Sequence, residues 1–350
     1  MNRGDVSNND GRGVLDTDQE QPLVDRFGRA HDYLRVSVTD RCNLRCGYCM
    51  PPDGIEQVKK ELILSFEEIL RVLRVGISLG IRKVRITGGE PLVRSDVMTF
   101  IKRVSAIDEL DKMGLTTNGL NLMDHLDELQ ETKLRHLNVS LDSLDEERFQ
   151  EVTRGEGVQT VLEAIRAAVN RDFHVKVNVV ALPDLASAEI EDFLQLARDL
   201  DVTVRFIEYM PLDGSEWDPD AFRPVSELKQ RVCSEHDLVP VDESGVSETY
   251  TFPDGPGRVG FIASLSNPFC ETCSRLRLSS TGTLHSCLFS TDGVHLLPVL
   301  RNGGTDEDIA RKIMQSLNEK WAGNPAYTGD WDPETEEPPR EFGLIRSIGG

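Results

Sequence analysis

From residue 33 to about 209, strand-like and helix-like stretches alternate six times, and no other feature restricts the fold so much. The strand candidates are 33–39, 83–87, 112–117, 136–141, 175–181 and 203–209. Amphipathic segments lie between them at 66–79, 95–107, 122–129, 158–170 and 188–200. Ser65 with Glu68 forms a capping-box pattern, and Ser95 followed by Asp96 reads as a second helix start. Consecutive β-α units pack as a parallel sheet with right-handed crossovers. Six units, where a closed barrel has eight, predict an α/β fold with an incomplete (β/α)6 TIM-like barrel. Such folds place their chemistry at the C-terminal ends of the strands. After Pro211 the rhythm changes. Residues 212–223 are loop-like, 225–232 reads as a helix, and 249–252, 258–263, 275–279 and 283–287 read as short strands. The expected organisation is a disordered lead-in over 1–30, the partial barrel over 31–211, a smaller C-terminal α+β region over 212–340, and a terminal tail over 341–350.

Composition limits the function. Lys plus Arg total 39 against 60 Asp plus Glu, a formal net charge of −21 in a chain of 350 residues. A surface this acidic argues against nucleic-acid or anionic-lipid partners. An anionic substrate must be held by a few local cations working against the global field. No apolar run is long enough to span a membrane. The first 25 residues lack a signal-peptide core and hold too many acids for a transit peptide, so a cytoplasmic protein is expected. Six of the seven cysteines fall into two triplets, Cys42, Cys46, Cys49 and Cys270, Cys273, Cys287. Cys233 is left over and reads as an inert thiol. Tight triplets in a cytoplasmic chain indicate metal binding rather than disulfides.

The first triplet has C-x3-C-x2-C spacing and directly follows the first strand. Thiolates this close can converge on one soft metal centre. A structural zinc site takes four ligands, and so does a 4Fe–4S cluster held by protein alone. The spacing shows an incomplete thiolate set: an iron–sulfur cluster so held would leave one iron open to a ligand that is not protein, and a zinc knuckle missing its fourth ligand or three unrelated cysteines are the other readings. The next strand ends in Thr87-Gly88-Gly89-Glu90-Pro91, where paired glycines allow a ligand to approach bare backbone. Later strand ends carry Asn138, Ser140 and Asp142, then Lys176 and Asn178, then Arg205, Glu208 and Met210. Polar strand ends are singly no more than solvated rims; several converging on one mouth make a site. The second triplet has C-x2-C-x13-C spacing with His285 nearby as a possible fourth ligand. Its spacing fits zinc and iron–sulfur equally.

The first cysteine loop and the Gly-Gly strand end resemble those of the radical S-adenosylmethionine superfamily. With the second triplet and the Arg275-Leu276-Arg277 run after it, the sequence from about Arg35 to Gly350 resembles the GTP 3′,8-cyclase family of molybdenum cofactor biosynthesis. The resemblance implies two 4Fe–4S clusters, S-adenosylmethionine as cofactor, GTP as substrate and a homodimer. It implies that Cys42, Cys46 and Cys49 hold the cofactor cluster, whose open iron chelates the methionine moiety. Tyr48, Gly89, Ser140 and Met210 then line the cofactor. Cys270, Cys273 and Cys287 hold the second cluster, facing the guanine. Arg35, Arg85, Thr116, Lys176, Arg275, Leu276 and Arg277 contact GTP, with Arg205 at the same cavity. Gly349 and Gly350 insert into the active site, although Ile345-Arg346 departs from the family's usual tail. An electron donor such as a flavodoxin or ferredoxin, and a downstream cyclic pyranopterin monophosphate synthase, are the implied partners.

The chemistry is consistent with such a site. Cleaving a sulfonium reductively needs an electron from the low end of the iron–sulfur range. A carbon radical attacks nearby C–H bonds, so the cavity must exclude water and fix the substrate. Arginines supply permanent, bidentate charge for a triphosphate. No acid–base pair or nucleophile is required for closing the ring between C3′ and C8. Two alternatives remain at this stage: a radical enzyme acting on a peptide, and a non-catalytic zinc protein.

Overall fold

The computed structural model describes residues 23–323 except Pro52, 55–57, 212–218, 242–244 and Thr291. The lead-in up to residue 22 and the tail with Gly349 and Gly350 lie outside the described residues. A short hairpin comes first, β1 (Leu23–Val24) with β2 (Ala30–His31). Residues 23–30 are therefore structured, which shortens the lead-in expected over 1–30.

Six parallel strands follow: β3 (Tyr33–Ser37), β4 (Lys83–Thr87), β5 (Lys112–Thr117), β6 (Leu134–Ser140), β7 (His174–Ala181) and β8 (Thr203–Glu208). Each alternates with period two. One set of positions is apolar and fully buried, including Val36, Ile86, Leu137, Val139, Val177 and Phe206. These pack against α1 (Phe66–Ser78), α2 (Val97–Ser105), α3 (Leu126–Gln130), α4 (Glu146–Thr153), α5 (Val158–Val169) and α6 (Ser187–Leu200) in one continuous core. The capping box at Ser65 and Glu68 forms as expected. The second helix begins at Val97, because Asp96 takes a left-handed conformation, φ 61°, and its side chain caps nothing. The stretch 122–129 divides into a short 3-10 turn and α3, and α4 was not foreseen.

Beyond Glu208 come α7 (Val225–His236), β9 (Val239–Val241), β10 (Glu248–Thr251), β11 (Arg258–Ile262), β12 (Arg275–Leu278), β13 (Thr283–His285), β14 (Val294–His295), α8 (Leu297–Arg301) and α9 (Asp306–Asn318). These strands do not make a sheet of their own. β11 joins β8 in parallel and β12 joins β3 in parallel, so eight parallel strands run side by side. The antiparallel pairs β10–β9 and β13–β14 extend the two edges into a twelve-stranded sheet. Its outermost strands do not pair with each other, so the barrel stays incomplete. Residues 263–274 carry the chain from one edge of the parallel row to the other. No described helix is long and apolar enough to cross a membrane.

The loop after β3 is held by backbone. Gly89 and Glu90 donate N–H bonds to Thr39 and Arg41 carbonyls, each at 2.8 Å. A Cβ on Gly89 would lie 2.4 Å from the Arg41 carbonyl oxygen, and one on Gly88 would lie 2.8 Å from that of Thr39. The paired glycines thus serve first to seat one loop on another. On the other side, Arg45 and Gly47 donate to Thr153 and Val152 carbonyls at the end of α4. Arg154, in the left-handed region at φ 54°, donates to the Arg45 and Met50 carbonyls at 2.8 and 3.2 Å. Replacing Gly89 by Ala should therefore push the cysteine loop outward. We expect a loss of about 1–3 kcal/mol in a urea titration, as for overpacking elsewhere, together with faster proteolysis between Arg41 and Arg45.

Candidate active site

The strand face opposite the core is polar and cationic. The register sets Arg277 beside Arg35 and Arg35 beside Arg85, with Arg275 beside Tyr33 and Arg205 beside Asn178. Arg85 donates to the Tyr33 hydroxyl at 2.7 Å and the Leu115 carbonyl at 2.9 Å. Arg205 grips the Asn178 amide oxygen through two nitrogens at 3.0 and 2.6 Å. Burial, with Arg85 and Arg275 nearby, lowers Arg35 to about 10. Burial and the neighbouring Arg85 and Arg35 lower Arg205 to about 9. Arg277 is held well below its ordinary value by burial, with Arg35 and Arg275 adding to it. Burial would raise the Tyr33 phenol, but Arg85 and Arg35 override it and bring the pKa down to about 8. These groups form one field of positive charge in a chain whose net charge is −21. Such a field fits a polyanion. Lys176 stands beside Asn138 and Asn138 beside Thr116, whose buried hydroxyl has no partner among the described residues. An orphaned buried hydroxyl suits a ligand contact.

Glycine shapes this cavity. Gly114, between Arg85 and His136 in the register, would place a Cβ 2.7 Å from the Arg85 Cζ. Its missing side chain is the space in which the guanidinium lies. His136 stacks on His174 with ring centroids 4.9 Å apart. Burial, then Lys112, His174 and Arg85, lower His136 to about 4.

Cys42, Cys46 and Cys49 lie just beyond the C-terminal end of β3, where the sequence placed them. Tyr48 donates to Asp142 Oδ2 at 2.7 Å, and Asp142 Oδ1 accepts the Val180 N–H at 2.9 Å. Burial raises Asp142 to about 6. Glu90 accepts from Leu92 N, Asn118 N and the Thr117 hydroxyl, and burial raises it to about 7. Asn118 in turn donates to Asn43 at 2.7 Å and to the Cys42 sulfur at 3.9 Å. Ser140 ends β6 beside Asn178. Met210 is buried with Leu265 and Phe289, and Cys287 packs on the same cluster.

The second triplet sits at the other end of the strands. Cys273 precedes β12, which runs parallel to β3, and β13 returns antiparallel to deliver Cys287 at the same end. The two triplets are thus separated by the length of a strand, on the order of 15 Å, with the arginines between them. Arg275 and Arg277 occupy alternate positions of β12 on either side of buried Leu276, as expected. The loop that brings Cys270 across is anchored by Glu208, buried at the end of β8. Its carboxylate accepts from Leu265 N and Ser266 N at 2.6 and 2.9 Å, and from Val225 N at 3.0 Å. Glu208, Arg154 and Asp142 were not assigned roles from sequence. Only a buried acid at a strand end could have suggested Glu208 and Asp142, and Arg154 depended on the unforeseen helix.

Donor chemistry bears on what each triplet holds. His285 is buried, and its pKa is lowered by burial against the pull of Asp292 and Ser290 backbone. Burial would raise Cys273, but Arg275 and Lys320 bring it down to about 6, which favours the thiolate.

The Radical SAM superfamily model matches residues 36–197, and the Molybdenum Cofactor Synthesis C model matches 202–325. The GTP 3′,8-cyclase of Thermodesulfovibrio yellowstonii is 40% identical over 311 residues, covering 87% of this chain and 97% of that protein. Molybdenum cofactor biosynthesis protein 1 of Drosophila melanogaster is 40% identical over 293 residues, 83% of this chain and 52% of the relative. The chain spans about half the length of that relative and of its Dictyostelium discoideum counterpart. Among solved structures, Streptococcus suis SuiB bound to its precursor peptide SuiA superposes with a TM-score of 0.56 at 14% identity, covering 85% of this chain and 66% of that one. At that identity the likeness concerns the fold alone.

Two outcomes test the cationic cavity. Gly114→Ala should displace the Arg85 guanidinium and weaken tripolyphosphate binding by roughly 10–100-fold in calorimetry, the range for losing a charged hydrogen bond. The depressed His136 pKa sets the second. Its contribution to stability is complete above the unfolded value of 6.5 and is lost as pH falls through about 4. His136→Gln should flatten the fall in urea midpoint across that window, and saturating tripolyphosphate should do the same in the wild type.

Proposed function

Since the chain belongs to the GTP 3′,8-cyclase family within the radical S-adenosylmethionine superfamily, we propose that it cyclises GTP to (8S)-3′,8-cyclo-7,8-dihydroguanosine 5′-triphosphate. This is the first step of molybdenum cofactor biosynthesis, and 5′-deoxyadenosine and methionine are released. The observation that carries the reading is the cluster of Arg35, Arg85, Arg205, Arg275 and Arg277 between two separate cysteine triplets. A peptide substrate does not call for that density of positive charge.

The superfamily holds a 4Fe–4S cluster and S-adenosylmethionine, and Cys42, Cys46 and Cys49 fit the cluster by spacing and by place, just beyond the end of β3. When bound, the cluster supplies the electron that cleaves the sulfonium. Tyr48, held by Asp142, with Gly89, Ser140 and Met210, lines the cofactor. Cys270, Cys273 and Cys287 would hold a second 4Fe–4S cluster on the guanine side of the substrate; the low Cys273 pKa supports a metal-binding thiolate there. Arg35, Arg85, Thr116, Lys176, Arg275, Leu276 and Arg277 bind GTP, and Arg205 completes the cavity. Their work is placement: holding C3′ and C8 in contact is worth roughly 7–11 kcal/mol when reactants are fixed. The same reading brings a homodimer, a flavodoxin- or ferredoxin-type electron donor and the downstream cyclic pyranopterin monophosphate synthase as partners.

The tail belongs to this proposal. Arg29 donates to the Trp321 and Ala322 carbonyls at 2.6 and 2.9 Å and to the Cys270 carbonyl at 2.8 Å. The chain leaves the described structure beside the second triplet, and the reading gives Gly349 and Gly350, which lie outside the described residues, a role near GTP.

Anaerobic incubation with GTP, S-adenosylmethionine and dithionite, followed by product analysis, tests the function; deoxyadenosine formed without the cyclised nucleotide would point to another substrate. Cys46→Ser should remove about half of the bound iron and all deoxyadenosine release. Deleting Gly349 and Gly350 should leave iron content and S-adenosylmethionine binding unchanged while cyclised nucleotide falls at least 100-fold, roughly the cost of a misplaced reactant.

A further inference from the structure

Lys320 is a buried ammonium that nothing in the proposed reaction employs. It follows α9 and is only 3% exposed. Its Nζ donates to the Arg275 carbonyl at 3.1 Å and the Ser286 carbonyl at 2.5 Å. Arg275 lies two residues past Cys273, and Ser286 immediately precedes Cys287. One side chain therefore ties together the two separate segments that deliver those cysteines.

Its charge is the stronger clue. A buried cation is costly unless it is paired. The neighbouring Arg29 has a carboxylate, with Nε 2.6 Å from Asp25 Oδ2. Lys320 has none among the described residues; its hydrogen-bond acceptors are neutral carbonyls. Burial disfavours its charge, as do Arg29 and Arg275; the sulfurs of Cys273 and Cys287 favour it. We propose that Lys320 is the fixed counter-charge of the second triplet. It positions the Cys273 and Cys287 segments and favours the more negative, reduced state of the cluster bound there. Net charge and local donors are among the factors that set iron–sulfur potentials. This role rests on the reading of the triplet as a 4Fe–4S site.

The experiment uses the full chain, purified and reconstituted without oxygen, with Lys320→Gln, Lys320→Met and Lys320→Arg beside the wild type. Iron and sulfide content, circular dichroism and EPR-monitored redox titration are read for each. A wild type carrying a single cluster would overturn the two-cluster reading, whatever the variants do. Given two clusters, Lys320→Gln keeps donors for the carbonyls but loses the charge. It should retain iron while the second cluster's midpoint shifts to more negative potential and the first stays put. Lys320→Met should show that shift or lose the second cluster's iron. Lys320→Arg should keep the wild-type midpoint. Equal midpoints in wild type, Lys320→Gln and any folded Lys320→Met would overturn the counter-charge. So would an Lys320→Arg midpoint displaced as far as that of Lys320→Gln. If Lys320→Met does not fold, the comparison of Lys320→Gln with Lys320→Arg decides alone.

Discussion

Like charges have been brought together and buried, and the structure must resist their repulsion. Arg277, Arg35 and Arg85 stand on adjacent strands at matched positions, so the sheet's own hydrogen bonds hold the guanidiniums side by side. Burial and mutual repulsion lower Arg35 to about 10 and Arg205 to about 9, and each pKa unit corresponds to about 1.4 kcal/mol of discrimination against the charged form. The opposite strand face offsets this, with Val36, Ile86, Leu137, Val177 and Phe206 fully buried against the helices. The apolar face keeps the strands in register while the charged face waits for a polyanion. Tyr33 and Asn178 fix the directions of Arg85 and Arg205, so little ordering is left for the moment of binding.

The two cysteine triplets are supported in different ways. The first is gripped by backbone from both sides: Gly89 and Glu90 on one, the end of α4 with Arg154 on the other. Cys270 and Cys273 of the second sit on a connection between sheet edges, with Cys287 delivered by β13, and buried charge fixes them: Glu208 at the start of that connection, Arg29 and Lys320 at its end. Sitting at opposite ends of the strands, they leave the arginine-lined space between them for one substrate.

Much of the barrel was legible in the sequence because its strands repeat a strict alternation, and that pattern survives in β4 and β5 with the expected bounds. The cysteine loop was legible because ligand spacing is local. The destination of the late strands was not. Nothing in 258–262 or 275–278 says that one will pair with β8 and the other with β3, since parallel pairing is decided by partners far away in sequence. The opposite placement of the second triplet follows from that pairing and was hidden with it. α4 escaped notice because it is eight residues long and half of them are charged, with only Phe149, Val152 and Thr153 buried. The glycines at 88 and 89 were recognised as a point of close approach, but the neighbour that approaches is the loop backbone.

The pairing of β12 with β3 also orders events during synthesis. A chain emerging from the ribosome completes the cysteine loop and its α4 platform once residues to about Arg154 are available. The second triplet needs β12 and β13, and then Lys320, near the end of the described chain. Contacts this distant in sequence form late and slowly. For that interval β3 remains an unpaired edge, and the arginine-lined interior stands open along one side. The first cysteine triplet is therefore in place while the nascent protein is still exposed, and the second comes together only as the cavity is sealed.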